Sequence, residues 1–145
     1  MIAKHPRFSS LARAVRAGIQ LVPDEAPRGR YFGVSPATGR LGCDALAAAW
    51  FAEYYDGERT DDEDRGLSLF LSRPLDDAYP ELTREMGPGC ALGAPGCPAP
   101  DRPPGRSLEA KIIHLEDRHG FTREQVAQWL EDPIPPGRNI EPNGT

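Results

Sequence analysis

The sequence predicts a mainly α protein: a small helical domain with a buried Ala-rich central helix, a carboxyl-terminal helical hairpin and long Gly/Pro-rich loops. Between Ala45 and Tyr55 the stretch at 41–55, LGCDALAAAWFAEYY, carries a single charge, Glu53. A helix that is apolar on nearly every face must be wrapped by other elements, so this segment is the expected hub of the core. Apolar residues also recur at helical spacing near both ends, as Phe8, Leu11, Val15 and Ile19 and as Leu108, Ile112 and Leu115. The 145 residues include 16 Pro and 15 Gly, concentrated between these segments, which calls for irregular connections around a helical body.

Taken in order, a first helix is expected over residues 9–17, capped by Ser9 or Ser10 and stopped by Gly18. Arg13 and Arg16 lie on its polar face. From 20 to 42, Pro23, Pro27, Gly29, Gly33, Pro36 and Gly39 break any long helix, although RYFGV at 30–34 suits a short extended segment. The hub helix begins near Asp44, whose carboxylate suits the first turn, and Gly57 ends it. The loop GERTDDEDRG that follows holds five acids between 58 and 64; without the alternation and Gly of a calcium loop, it reads as solvated. The short apolar run of Leu67, Leu69, Phe70 and Leu71 packs as helix or strand. A short helix restarting at Pro80 is expected within 76–86.

Residues 87–105 include eleven Gly or Pro out of nineteen, the mark of an irregular excursion. Ser107 then caps a helix that Gly120 stops. Thr122 and Gln125 have capping-box spacing at the start of another, with Val126, Trp129 and Leu130 as its stripe and Pro133 as its end. This hairpin, with the first helix, is expected to cover the hub. The domain reading is one helical unit over 1–132 followed by a proline-rich tail over 133–145, one core being normal at this length.

At the hairpin the chain resembles a known group. HLEDRHGFTREQVAQWL, residues 114–130, resembles the end of small, functionally uncharacterised bacterial and phage proteins whose pattern is close to H-L-N-D, a spacer, then W-T-R-E-Q-I-A-D-W-L. LARAVRAG at 11–18 and CDALAAA at 43–49 loosely match an early helix and a cysteine segment of that group. Glu116 in place of Asn, Phe121 in place of Trp and an extra residue in the cysteine segment are departures. The resemblance implies an architecture and a mobile-element context, with no reaction attached.

Charge is segregated. Residues 1–40 hold seven Lys or Arg against two acids, a balance of +5, which leaves −10 on the other 105 residues because the whole chain carries −5. Internal matching between the basic amino-terminal part and the acidic loop is the simpler consequence, and a basic patch meeting an acidic partner the sharper one. No apolar run reaches membrane-spanning length and the start lacks a secretion signal, so a cytoplasmic protein with no membrane partner is expected. Three cysteines at unrelated spacings do not form a disulfide framework.

The expected function is a non-catalytic protein-interaction module, a regulator or inhibitor of phage or mobile-element type. Its partner-binding residues are expected to be Arg13, Arg16, Arg28, Arg30, Tyr31 and Phe32, with the two aromatics alternatively serving as core anchors. Nucleic-acid binding is the first alternative, since TREQVAQWL looks like the first helix of a helix-turn-helix. Prolines 133, 135, 136 and 142 leave no room for a recognition helix, and Arg123, Gln125 and Gln128 adjoin acids that oppose phosphate.

The second alternative is a zinc-stapled module or small hydrolase. Cys90, Cys97 and His119 are its candidate ligands, with His114 and Cys43 as further ones, although no cofactor is the base expectation. The Cys spacing is wider than structural zinc sites usually show. His114 and His119 are five apart, about 140° around a helix. No nucleophile elbow or phosphate loop is present, and Glu116, Asp117 and His119 are the nearest approach to acid/base chemistry.

Overall fold

A computed structural model of the chain describes residues 6–54, 74–87, 90–92 and 105–132. The acidic loop at 58–64, the apolar run at 67–71, Gly57, Cys97 and the 133–145 tail lie outside the described residues. Within them the protein is mainly α, as the sequence predicts, with a two-stranded ribbon beside the hub.

Helix α1 spans Leu11–Leu21. Ser10, in extended backbone, caps it by accepting the Arg13 amide at 3.2 Å. The helix does not stop at Gly18. That glycine sits where α1 crosses the hub, and a Cβ there would lie 1.8 Å from the Ala48 carbonyl oxygen, so it serves close approach and the helix runs a turn further.

Strand β1, Phe32–Val34, pairs antiparallel with β2, Leu41–Cys43, with Phe32 opposite Cys43 and Val34 opposite Leu41. The turn between them closes through the Ser35 amide on the Arg40 carbonyl at 2.8 Å, with Gly39 at φ 72°. Glu25 adds a parallel bridge to the far side of Cys43. Gly42 allows it, since a Cβ would meet the Glu25 carbonyl at 2.5 Å.

The hub is α2, Ala45–Tyr54, buried at every position from Ala45 to Glu53. Its alanines admit α1 along one side, while Trp50 and Phe51 meet Phe32 edge to face, with centroids 6.2 and 5.6 Å from it. The lone charge, Glu53, is buried, and burial of a carboxylate demands hydrogen bonds. It accepts the Arg7 amide on both oxygens, at 3.0 and 2.9 Å, and the Tyr79 hydroxyl at 3.0 Å. Two short 3-10 turns, Leu75–Asp77 and Pro80–Thr83, replace the expected short helix and bury Leu75, Ala78, Tyr79 and Leu82.

Helix α3, Leu108–His119, is capped by Ser107 and closed by Gly120 in the left-handed conformation (φ 66°). Helix α4, Arg123–Glu131, starts in the expected capping box of Thr122 and Gln125. Both helices touch α2, and α4 also packs along α1. The two ends of the Gly/Pro-rich connection are clamped at its base. Glu85 bridges Ser107, the Met86 amide donates to the Arg106 carbonyl at 2.6 Å, and the Leu108 amide donates to the Arg84 carbonyl at 3.0 Å.

Candidate functional site

Two constellations of polar side chains stand out from this core. The first lies where the loop before β1 meets the α3–α4 turn. Glu25, Arg28, Arg30, Asp44, Glu116 and Asp117 line a recess of about 190 Å³ there. Asp117 fixes the loop by accepting the Gly29 amide at 3.1 Å. The Arg28 guanidinium reaches over Gly120, where a Cβ would come within 3.1 Å of Nη2. Immediately next in the chain, Tyr31 lines a second recess of about 230 Å³ with Leu46, Leu75, Leu82, Asp76 and Glu109. Residues 28–31 thus supply walls to two neighbouring hollows, one acidic and one more apolar.

The floor of the acidic recess is the amino terminus of α2. Glu116 accepts the Ala45 amide on both oxygens, at 3.4 and 3.1 Å, and Asp44 accepts the Ala47 amide at 2.8 Å. Two carboxylates therefore cap one helix end, where orphan amides and the helix dipole favour negative charge. Burial nevertheless pushes Glu116 up to about 8, only partly opposed by the Ala45 amide, with repulsion from Asp117 adding to the rise. Asp44 is raised as well, first by burial and then by Glu116. A raised carboxylate in a recess suits general acid/base work. Here both carboxylates are already engaged as helix caps, and among the described residues no cysteine or histidine lines the recess.

Behind the recess, buried Arg123 ties three elements together. Its guanidinium donates to the Val22 carbonyl at 2.5 Å, to the Pro23 carbonyl and to Cys43 Sγ at 3.6 Å, while its amide donates to Glu25 at 3.2 Å. Cys43 is buried by packing, and its thiol is pushed up to about 12 chiefly by burial, with the Arg123 charge opposing, so it is no nucleophile. Arg123 cannot read a base from this position. Gln125 is likewise held in its capping box, with its side chain accepting the Thr122 amide at 2.8 Å.

The second constellation joins the Gly/Pro-rich connection to α3. Cys90 Sγ lies 3.1 Å from His119 Nε2 and accepts the Leu92 amide at 3.4 Å. The rings of His114 and His119 meet edge to face with centroids 5.0 Å apart. Spacing alone argued against that meeting, but His119 is the last residue of α3 and the two rings swing together along the helix surface. One ligand atom from each of Cys90, His114 and His119 falls within 4.8 Å of the other two. Burial lowers the pKa of both imidazoles, with the neighbouring His119 adding to the effect on His114. Neutral imidazole is the form that binds a metal.

The partner-binding residues expected from the sequence separate. Arg13, Arg28 and Arg30 are exposed and Tyr31 is half-buried. Phe32, at 2% exposure, is a core anchor and not a contact surface. Arg16 is taken up internally, its guanidinium on Glu124 at 3.0 Å and Glu131 at 2.5 Å. The charge matching between chain halves thus involves α4 among the described residues, whereas the acidic loop expected to supply it lies outside them. Sequence reasoning missed the recess because Glu116 caps a helix that begins 71 positions earlier, and only the cap residue Asp44 left a local signal. No family model matches the chain, and no curated protein or solved structure matches it either. Its class therefore rests on its own architecture, a mainly α protein with a ribbon-flanked apolar hub. Among the described residues no helix is long and apolar enough to cross a membrane.

Proposed function

We propose that this protein is a non-catalytic protein-interaction module, a regulator or inhibitor of the kind mobile elements encode, and that residues 28–31 are its docking ridge. The observation that carries the reading is that consecutive residues of one segment wall both recesses, exposed Arg28 and Arg30 the acidic one and half-buried Tyr31 the other. A ridge between two hollows suits an extended partner segment whose successive side chains enter alternate sides. The acidic recess suits a cationic side chain, which would relieve the crowding of Asp44, Glu116 and Asp117. The recess around Tyr31, Leu46 and Leu82 suits an apolar one. Arg28, which makes no ion pair among the described residues, remains to meet a carboxylate at the rim.

The mobile-element context draws on the resemblance of the hairpin to small bacterial and phage proteins, and the regulator or inhibitor role on the docking ridge alone. Catalysis is disfavoured because Asp44 and Glu116, the carboxylates with raised pKa at the recess, already serve as helix caps. Affinity capture from the native host, with the wild-type chain and an Arg28→Glu, Arg30→Glu variant run side by side, tests the reading. A protein retained by the wild type and lost from the variant is expected. Identical retention by both chains would remove the ridge from consideration.

A further inference from the structure

We propose that Cys90, His114 and His119 form a site for one divalent transition-metal ion, zinc above all, that fastens the Gly/Pro-rich connection to α3. The inference is independent of the docking ridge. One sulfur and two imidazole nitrogens lie within 4.8 Å of one another. Tetrahedral zinc, with Zn–S of about 2.3 Å and Zn–N of about 2.0 to 2.1 Å, requires donor separations near 3.5 Å. One pair, Cys90 Sγ and His119 Nε2, already stands at 3.1 Å, so side-chain rotations of ordinary size complete the geometry.

The donor set selects the metal. Thiolate with imidazoles suits zinc and its neighbours, whereas magnesium and calcium require oxygen ligands. The Leu92 amide donating to Cys90 Sγ supplies the supporting hydrogen bond that a ligating thiolate favours. Binding converts the Cys90 thiol to thiolate, so one proton leaves for each ion bound. With three protein ligands, the fourth position falls to water.

The placement also gives the ion a purpose. The connection is clamped at the first turn of α3 by the Glu85 and Ser107 bridge, and Cys90 returns to the last residue of the same helix. An ion at this point pins a Gly/Pro-rich segment at a second place, so its binding energy appears as stability of the folded form. A bare thiol and imidazole pair needs only His119; the metal site needs His114 as well. That difference separates the two.

The full-length chain, stripped with chelator and exchanged into clean buffer, is titrated with cobalt(II) and then zinc(II). Saturation at one cobalt per chain is expected, with an absorption band of tetrahedral intensity and a thiolate charge-transfer band, both bleached by zinc. Cys90→Ser abolishes the charge-transfer band, and His114→Asn and His119→Asn each weaken cobalt binding at least about tenfold. Alkylation of Cys90, followed by mass spectrometry on the wild-type chain, needs no variant; zinc slows it at least about tenfold. The proposal is overturned by an absence of saturable cobalt absorption, by a charge-transfer band that survives Cys90→Ser, by wild-type affinity in His114→Asn, or by alkylation indifferent to zinc.

Discussion

Glu116 carries the clearest consequence at the scale of one residue. Its folded-state pKa is about 8 against an ordinary 4.5, with burial as the leading cause. Between those values the folded chain keeps a proton that the unfolded chain has released, so this group's contribution to stability falls as pH rises through the window. Glu116→Gln keeps an acceptor for the Ala45 amide and removes the titration. The variant should therefore gain on the wild type by up to about 4 kcal/mol between about pH 5 and about pH 8.5. Denaturant unfolding of both chains at the two pH values measures it, and a constant difference would refute it. Arg123 makes the opposite case, since it is buried and its guanidinium satisfies carbonyls at the end of α1. Truncation to Ala strands those carbonyls and opens a cavity, so Arg123→Ala should cost roughly 3 kcal/mol or more by the same denaturant assay.

Among the elements, what was legible in the sequence is what local chemistry dictates. The α3–α4 hairpin has its caps at Ser107, Gly120 and Thr122 because each cap answers amides or carbonyls within its own helix. The hub was legible because an apolar run on all faces has one outcome, burial. The end of α1 was not legible, because Gly18 meets a tertiary demand that looks like a helix stop when only the chain is read. Strand β2 was missed for a similar reason, since Leu41–Cys43 exists through its partners Phe32 and Glu25, 11 and 18 positions earlier. The recess depends on Glu116 reaching α2, and the metal cluster on Cys90 returning to α3; neither leaves a local pattern. The crossing of α1 and α2 can be tested directly. Gly18→Ala places a methyl group against the Ala48 carbonyl and must push the helices apart. A loss of about 3 kcal/mol or more is expected in thermal or denaturant unfolding. A variant as stable as the wild type would show that the helices do not cross this closely.

For the molecule as a whole, the segregation of +5 and −10 along the chain raises the question of how much positive field is left for an outside partner. Arg16 is held by Glu124 and Glu131, and Arg40 by Asp24 at 3.2 Å. Arg106 is held by Glu85 at 2.7 Å, and Arg123 is buried. The exposed Arg28 and Arg30 share their recess with Glu25, Asp44, Glu116 and Asp117. A nucleic-acid binder needs cations arranged along a phosphate backbone and free of competing carboxylates. Around these arginines the two signs are interleaved, which suits a short, mixed-charge protein segment better than a uniform polyanion. The wild-type chain should therefore show no saturable binding to a short labelled duplex at about 50 mM salt, a dissociation constant weaker than roughly 10⁻⁴ M. Fluorescence anisotropy reads it. Tight binding that fades steeply toward about 200 mM salt would mean that phosphates, and not a protein partner, are what the exposed arginines meet.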